Sequence, residues 1–119
     1  VGHIKLLTKG LLKTLPGLYS QEDNPDPMVV GKFFTPGTGW TWYAIEGSPI
    51  DQFGSFNSDK EKVDFLFFGL TSRIQVEQSF FLASEFKGLR IKYGLSVERD
   101  LSFQPARLSE IKKLCVFNR

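Results

Sequence analysis

A chain of 119 residues with 41% apolar and 24% charged side chains is sized for one globular domain, able to bury roughly two-thirds of its unfolded surface without staples. The single cysteine, Cys115, excludes an intrachain disulfide and fits a reducing, cytoplasmic compartment, and no apolar run is long enough to span a membrane. The net charge of +2 is unevenly spread: residues 1–19 carry three Lys and no acid, residues 20–64 eight acids against three Lys, and residues 65–119 nine bases against five acids, a pattern that either steers a charged partner or cancels as the halves pack together.

The opening VGHIKLLTKGLLKTLP is basic and apolar like a leader peptide. Lys9, Gly10 and Lys13 interrupt it and no small-residue cleavage site follows, so it is expected to belong to the fold. Thr8 is a predicted N-cap, Leu11, Leu12 and Leu15 form one apolar stripe, and Pro16-Gly17 stops this first helix. YSQEDNPDP, residues 19–27, reads as a solvated loop whose acids lack the spacing of a calcium loop. MVVGKFF (28–34) and WTWYAIE (40–46) are predicted strands joined through the PGTG turn. Residues 47–62, rich in Gly, Ser, Asp and Lys, are expected to form a mobile loop. VDFLFFGLTS is apolar on both faces, as a covered central strand is. RIQVEQSFF alternates, with Ile74, Val76, Gln78 and Phe80 on one face and the polar side chains on the other.

The period then changes. Leu82, Phe86 and Leu89 mark an amphipathic helix that Gly94 ends. LSVERDLSF (95–103) returns to extended character, and ARLSEIKKL closes the chain with a short helix capped by Ser109, with Ile111, Leu114 and Cys115 as its apolar side. The predicted fold class is α+β: a single domain, residues 1–119, with a mainly antiparallel sheet of four to five strands and two to three short helices.

Four blocks carry a resemblance: LLTKGLLKTLPGLYSQED, KFFTPGTGWTWYAIEG, FFGL and SEFKGLRIKYGLSVERDLSFQPARLSEI. In this order they are similar to the signature blocks of a bacterial family, the domain-of-unknown-function family 2958, over nearly the whole chain. The resemblance implies a small single-domain protein carried on plasmids, phages and other mobile elements, often beside defence or anti-defence genes. It implies no catalytic motif. The 47–62 segment departs from the family pattern in being longer than usual.

Trp40, Trp42 and Tyr43 leave two readings. Strand alternation puts Trp40, Trp42 and Ala44 on one face and Thr41, Tyr43 and Ile45 on the other, so both faces can be core. Alternatively the Trp pair stands beside the 47–62 loop as a binding platform, since Trp and Tyr are enriched at interface hot spots. Base stacking would need interleaved cations, and Lys32 is the one nearby in sequence. In VERD, an unbroken strand would put Arg99 on an apolar face with Leu95, Val97, Leu101 and Phe103. A buried guanidinium needs a partner, so Arg99 is expected either to pair with Asp64, Glu46 or Glu98 or to sit on a bend. Free, it could receive a carboxylate or phosphate in two-pronged fashion. Glu98 and Asp100 could share the opposite face and invite a metal, a weak pattern for a hard cation.

Other chemistries lack their parts. His3 is the only histidine and sits near the start, Cys115 is alone, and no glycine-rich loop opens a helix. No cofactor is called for. The leading expectation is therefore a non-enzymatic protein-binding module of a mobile element, acting on a host or competing protein such as a component of a CRISPR–Cas or restriction system. Its contact residues would be Trp40, Trp42, Tyr43, Glu46, Glu98, Arg99 and Asp100. The alternatives are a nucleic-acid-binding accessory protein using Arg73, Lys87, Arg90, Lys92, Lys112 and Lys113, and a small metal-dependent hydrolase using Glu98 and Asp100.

Overall fold

The computed structural model describes residues 6–117; His3 lies outside them. The order of elements is α1 (Lys9–Thr14), β1 (Met28–Val29), β2 (Gly31–Phe34), β3 (Thr41–Ile50), β4 (Asp64–Ser72), β5 (Val76–Leu82), α2 (Ala83–Tyr93), β6 (Glu98–Arg99), β7 (Ala106–Arg107) and α3 (Leu108–Phe117). Five strands form one antiparallel sheet in the order β5-β4-β3-β2-β6, and β1 pairs with β7 in a separate ribbon. The α+β class and the β2–β5 meander are as the alternation predicts.

The register assigns the two faces. Phe33 opposes Trp42 and Phe67 opposes Phe81 on one face, where Leu11, Leu15 and Phe86 of the helical segments cover them. Tyr43 opposes Leu70 on the other face, and there Leu108, Ile111 and Cys115 of α3 pack with Val29 and Ile45. Six of the nine buried residues of the first core are aromatic: Phe33, for one, meets Phe67 at 5.5 Å and Phe86 at 5.3 Å between ring centroids. Rings at offset or edge-on angles gain attraction beyond burial alone.

Local signals fix the helices. Thr8 Oγ1 accepts the Leu11 N–H at 3.2 Å, the predicted N-cap, although Leu12 points to solvent rather than joining the stripe. Gly94 ends α2 in the left-handed region, at φ 67°, with its N–H donating to the Arg90 carbonyl. The cap of α3 differs from expectation. Ser109 lies inside the helix, and the carboxylate of Asp26 accepts its N–H at 2.9 Å and its hydroxyl at 2.7 Å. A carboxylate suits this end because it meets free N–H groups and the positive end of the helix dipole.

Three further expectations are corrected. Residues 47–50 are strand, not loop: Gly47 to Ile50 continue β3 against Phe67 to Asp64 of β4. Their turn-like composition has a structural reason. Beyond Ala44 no strand pairs with the outer side of β3 among the described residues; the Gly47 N–H points there and donates to the Pro16 carbonyl at 2.9 Å. Pro49, two residues on, faces the same way and so forfeits no ladder bond. The remaining loop turns around Asp51, which is buried and accepts from Phe53 N–H (2.8 Å), Ser55 N–H (3.0 Å) and Ser58 hydroxyl (2.5 Å). Arg73 to Gln75 form a turn rather than strand, leaving Ile74 at 74% exposure. Residues 95–103 are strand only at Glu98–Arg99, after which the chain turns at Asp100.

Asp26, Asp51 and Asp100 share one device. Each carboxyl is held below its ordinary value, first by a serine hydroxyl donating to it: Ser109, Ser58 and Ser102 respectively. The unfolded chain therefore binds protons that the folded chain refuses. Their contribution is complete above the ordinary value of 3.8 and is lost as pH falls through the lower folded values. Thermal melts stepped down from about pH 5 to pH 2 should show a falling Tm that is shallower in Asp26→Asn. Equal slopes in the two proteins would contradict the Asp26 cap.

Candidate functional site

The predicted platform does not assemble. β3 has ten residues, so Trp40 at its start and the loop after Ile50 stand about 30 Å apart. Trp42 is 5% exposed, with its ring edge-on to Phe86 at 4.9 Å, so it is core. Trp40 is half-buried, stacked on Trp42 at 5.8 Å and 9°, with the Arg73 guanidinium 5.2 Å above its ring. Tyr43 is on the opposite face, against Phe103. Its phenol is pushed well above its ordinary value, chiefly by burial and then by the neighbouring Cys115 thiol.

The VERD residues also separate. Arg99 lies opposite Phe33 and pairs with none of the expected carboxylates. Its guanidinium donates to Thr8 Oγ1 at 2.8 Å, bracing the cap of α1, while Nε has no hydrogen-bond partner among the described residues. Asp64 is spent elsewhere, accepting the Ser84 N–H at the start of α2. The Asp100 carboxylate takes the Ser102 N–H and hydroxyl and lies 3.6 Å from Lys32 Nζ. Glu98 opposes Phe34 at the sheet edge. Among the described residues no group of three or more His, Cys, Asp or Glu side chains comes together as metal ligands. Of the predicted cations, Lys87, Arg90 and Lys92 ride on α2 and Lys112 and Lys113 on α3, helices on opposite faces of the sheet.

Glu46 leads to a site that the sequence reading missed. β3 bulges between Ala44 and Glu46, and this shift turns Glu46 onto the α3 side, opposite Phe68. There it is 5% exposed, and its two oxygens accept the N–H groups of Tyr19 (3.0 Å) and Gln21 (2.7 Å). Ser48 Oγ similarly accepts the Leu18 N–H at 3.0 Å. The 19–27 segment, read as a solvated loop, is thus pinned to the sheet at its start.

The pinned backbone is unusual. Tyr19 is the one non-glycine residue with positive φ among the described residues, at 67°. Side chains rarely adopt this region because Cβ crowds the backbone. The residue is 51% exposed; its ring meets Phe56 at 5.9 Å and Phe80 at 6.1 Å, and Phe80 in turn meets Phe68 at 5.0 Å. Tyr19, Phe68 and Phe80 of this group border a cavity of about 550 Å³ lined also by Ile45, Glu46, Gln78, Leu108 and Lys112. α3 covers only part of this face of the sheet, and the cavity is the part left open. Its lining mixes apolar side chains with polar ones, Gln21, Glu22, Asn24, Glu46, Gln78 and Lys112 among them, a concave surface able to take a small ligand or an inserted side chain. Each Glu46 oxygen accepts one backbone N–H, which ties Tyr19 and Gln21 to the sheet.

No helix among the described residues is long and apolar enough to cross a membrane. Neither a curated protein nor a solved structure matches the chain. The profile of the family described as protein of unknown function (DUF2958) matches residues 6–115, which takes in the capped first helix, the whole sheet and the Glu46 cavity, and the chain belongs to that family.

Proposed function

We propose that this protein is a non-enzymatic binding module that acts by occupying a surface of another protein, with the patch of Tyr19, Phe56 and Phe80 as its contact face. The observation that supports this reading is Tyr19. Its backbone is strained by about 1 kcal/mol, and the buried Glu46 carboxylate, which accepts the N–H groups of Tyr19 and Gln21, keeps it so, yet the residue is half exposed to solvent. Strain maintained to expose an aromatic side chain serves contact better than it serves the core. Exposed aromatic clusters beside a cavity are also the chemistry of interface hot spots. The carboxylates with clear geometry, Glu46, Asp51 and Asp100, are committed to backbone and serine donors, which argues for binding over catalysis. The family resemblance directs the search for a partner to bacterial defence components encountered by mobile elements, in the host cytoplasm.

Tyr19→Gly separates fold from contact. Glycine accepts positive φ without strain, which offsets its own entropic cost of about 0.5–1 kcal/mol, so Tm should stay within about 5 °C of the parent. Immobilised parent protein should retain a specific protein from lysate of a strain carrying defence systems, identified by mass spectrometry, and Tyr19→Gly should not. Undiminished capture by the folded variant would end this reading of the patch.

A further inference from the structure

The two edges of the five-stranded sheet are unlike. β6 ends one side with only two residues. β5 ends the other with seven, in unbroken register with β4 from Val76 opposite Ser72 to Leu82 opposite Leu66. An edge strand leaves alternate N–H and C=O groups unpaired, and proteins ordinarily blunt it with Lys, Pro, a bulge or a covering segment. The sequence VEQSFFL has neither Lys nor Pro, its pairing has no bulge, and no strand among the described residues pairs with its outer side.

Cavities flank this edge on both faces. Gln78 and Phe80 border the one shared with Tyr19 and Lys112. Glu77, Ser79 and Phe81 border a second, also about 550 Å³, shared with Trp40, Glu85 and Tyr93. Alternating pockets beside free main-chain groups are what an added strand requires: backbone bonds for affinity, pockets for its side chains. The charges indicate the chemistry. The cations near the second cavity lie on aromatic rings, Lys92 over Tyr93 at 5.3 Å and Arg73 over Trp40 at 5.2 Å. Glu77 and Glu85 border the same cavity with no hydrogen-bond or ion-pair partner among the described residues.

We propose that β5 accepts an extended segment of the partner protein as a sixth strand, with apolar side chains toward Phe80 and Tyr19 alternating with basic ones toward Glu77 and Glu85. This rests on the binding reading above and specifies its mode. The probe is an acetylated, amidated heptapeptide alternating Val and Lys, titrated into isotopically labelled protein. Saturable amide shifts centred on Val76–Leu82 are expected. Glu77→Lys with Glu85→Lys should weaken binding about tenfold or more. N-methylation of every second peptide amide should abolish binding in one phase and spare it in the other, because one edge of the added strand faces β5.

Equal binding of both methylated peptides, equal binding of a Val–Glu peptide, or no saturable shift would overturn the proposal. Dimerisation in sedimentation velocity that the peptide reverses would put a second copy of this chain on β5, and would overturn it too. The two readings fail separately. If Tyr19→Gly loses the captured partner while the peptide misses β5, the aromatic patch stands without strand addition. If the peptide adds to β5 while Tyr19→Gly captures normally, strand addition stands without the patch.

Discussion

Urea denaturation of Trp42→Ala is expected to show a loss of about 3–5 kcal/mol, against no more than about 1–2 kcal/mol for Trp40→Ala. The two indoles are stacked neighbours, so sequence proximity and residue type are matched and only burial differs. Trp42 is enclosed between β4, Phe86 of α2 and its partner indole. Its removal takes away both the transfer free energy and the contacts of the surrounding rings, which a rigid sheet cannot close over. Trp40 stacks on Trp42, lies within cation–π distance of Arg73, and is partly exposed to solvent. Its loss removes part of a ring's burial and one cation–π contact. Since a domain of this size has only about 5–15 kcal/mol in hand, Trp42→Ala should be marginal at 37 °C while Trp40→Ala remains folded. The check is the midpoint shift at constant m-value, followed by far-UV circular dichroism. Equal costs at the two positions would mean that Trp42 is not the core member of the pair.

Much of this architecture is legible in the chain because its determinants are local. Thr8 before an apolar stripe, Pro16-Gly17 after it, PGTG between two aromatic runs and Gly94 after Leu89 act within a few residues of where they are read. What escaped is set over long range. The cap of α3 comes from Asp26, far from Ser109 in sequence, and no local pattern announces it. The strand at Gly47–Ile50 has loop composition because its outer side meets the Pro16–Leu18 segment rather than another strand. The face of Glu46 is the most instructive case. Plain alternation puts it with Trp42 and Ala44; the bulge adds one residue and moves it to the face of Tyr43. The cavity, the pinned Tyr19 and the exposed aromatic patch all follow from that single shift of phase. One signal for the shift is present in the sequence: a glycine inside the otherwise bulky run VDFLFFGLTS.

That glycine carries the second large effect. Gly69 pairs with Ala44 at the edge of the bulge in β3. A Cβ at Gly69 would lie 1.8 Å from the Tyr43 carbonyl oxygen, 2.9 Å from its carbon and 3.2 Å from Ala44 Cα. These are main-chain atoms in a central strand, so no flexible side chain can yield, and relief requires the strands to part where both cores meet the sheet. Gly69→Ala should therefore cost about 3 kcal/mol or more, a large value for one methyl group. Gly88→Ala is the control: it lies within α2 with nothing near its Cβ, and should stabilise by about 0.5–1 kcal/mol through helix propensity. Amide exchange supplies a second readout. Because the bulge aims Glu46 at Tyr19 and Gln21, parting the strands in Gly69→Ala should raise exchange at those two N–H groups as well as along β3 and β4. A Gly69→Ala protein as stable as the parent, with Tyr19 and Gln21 still protected, would mean that the bulge does not depend on this close approach and that Glu46 is turned to the cavity by something else.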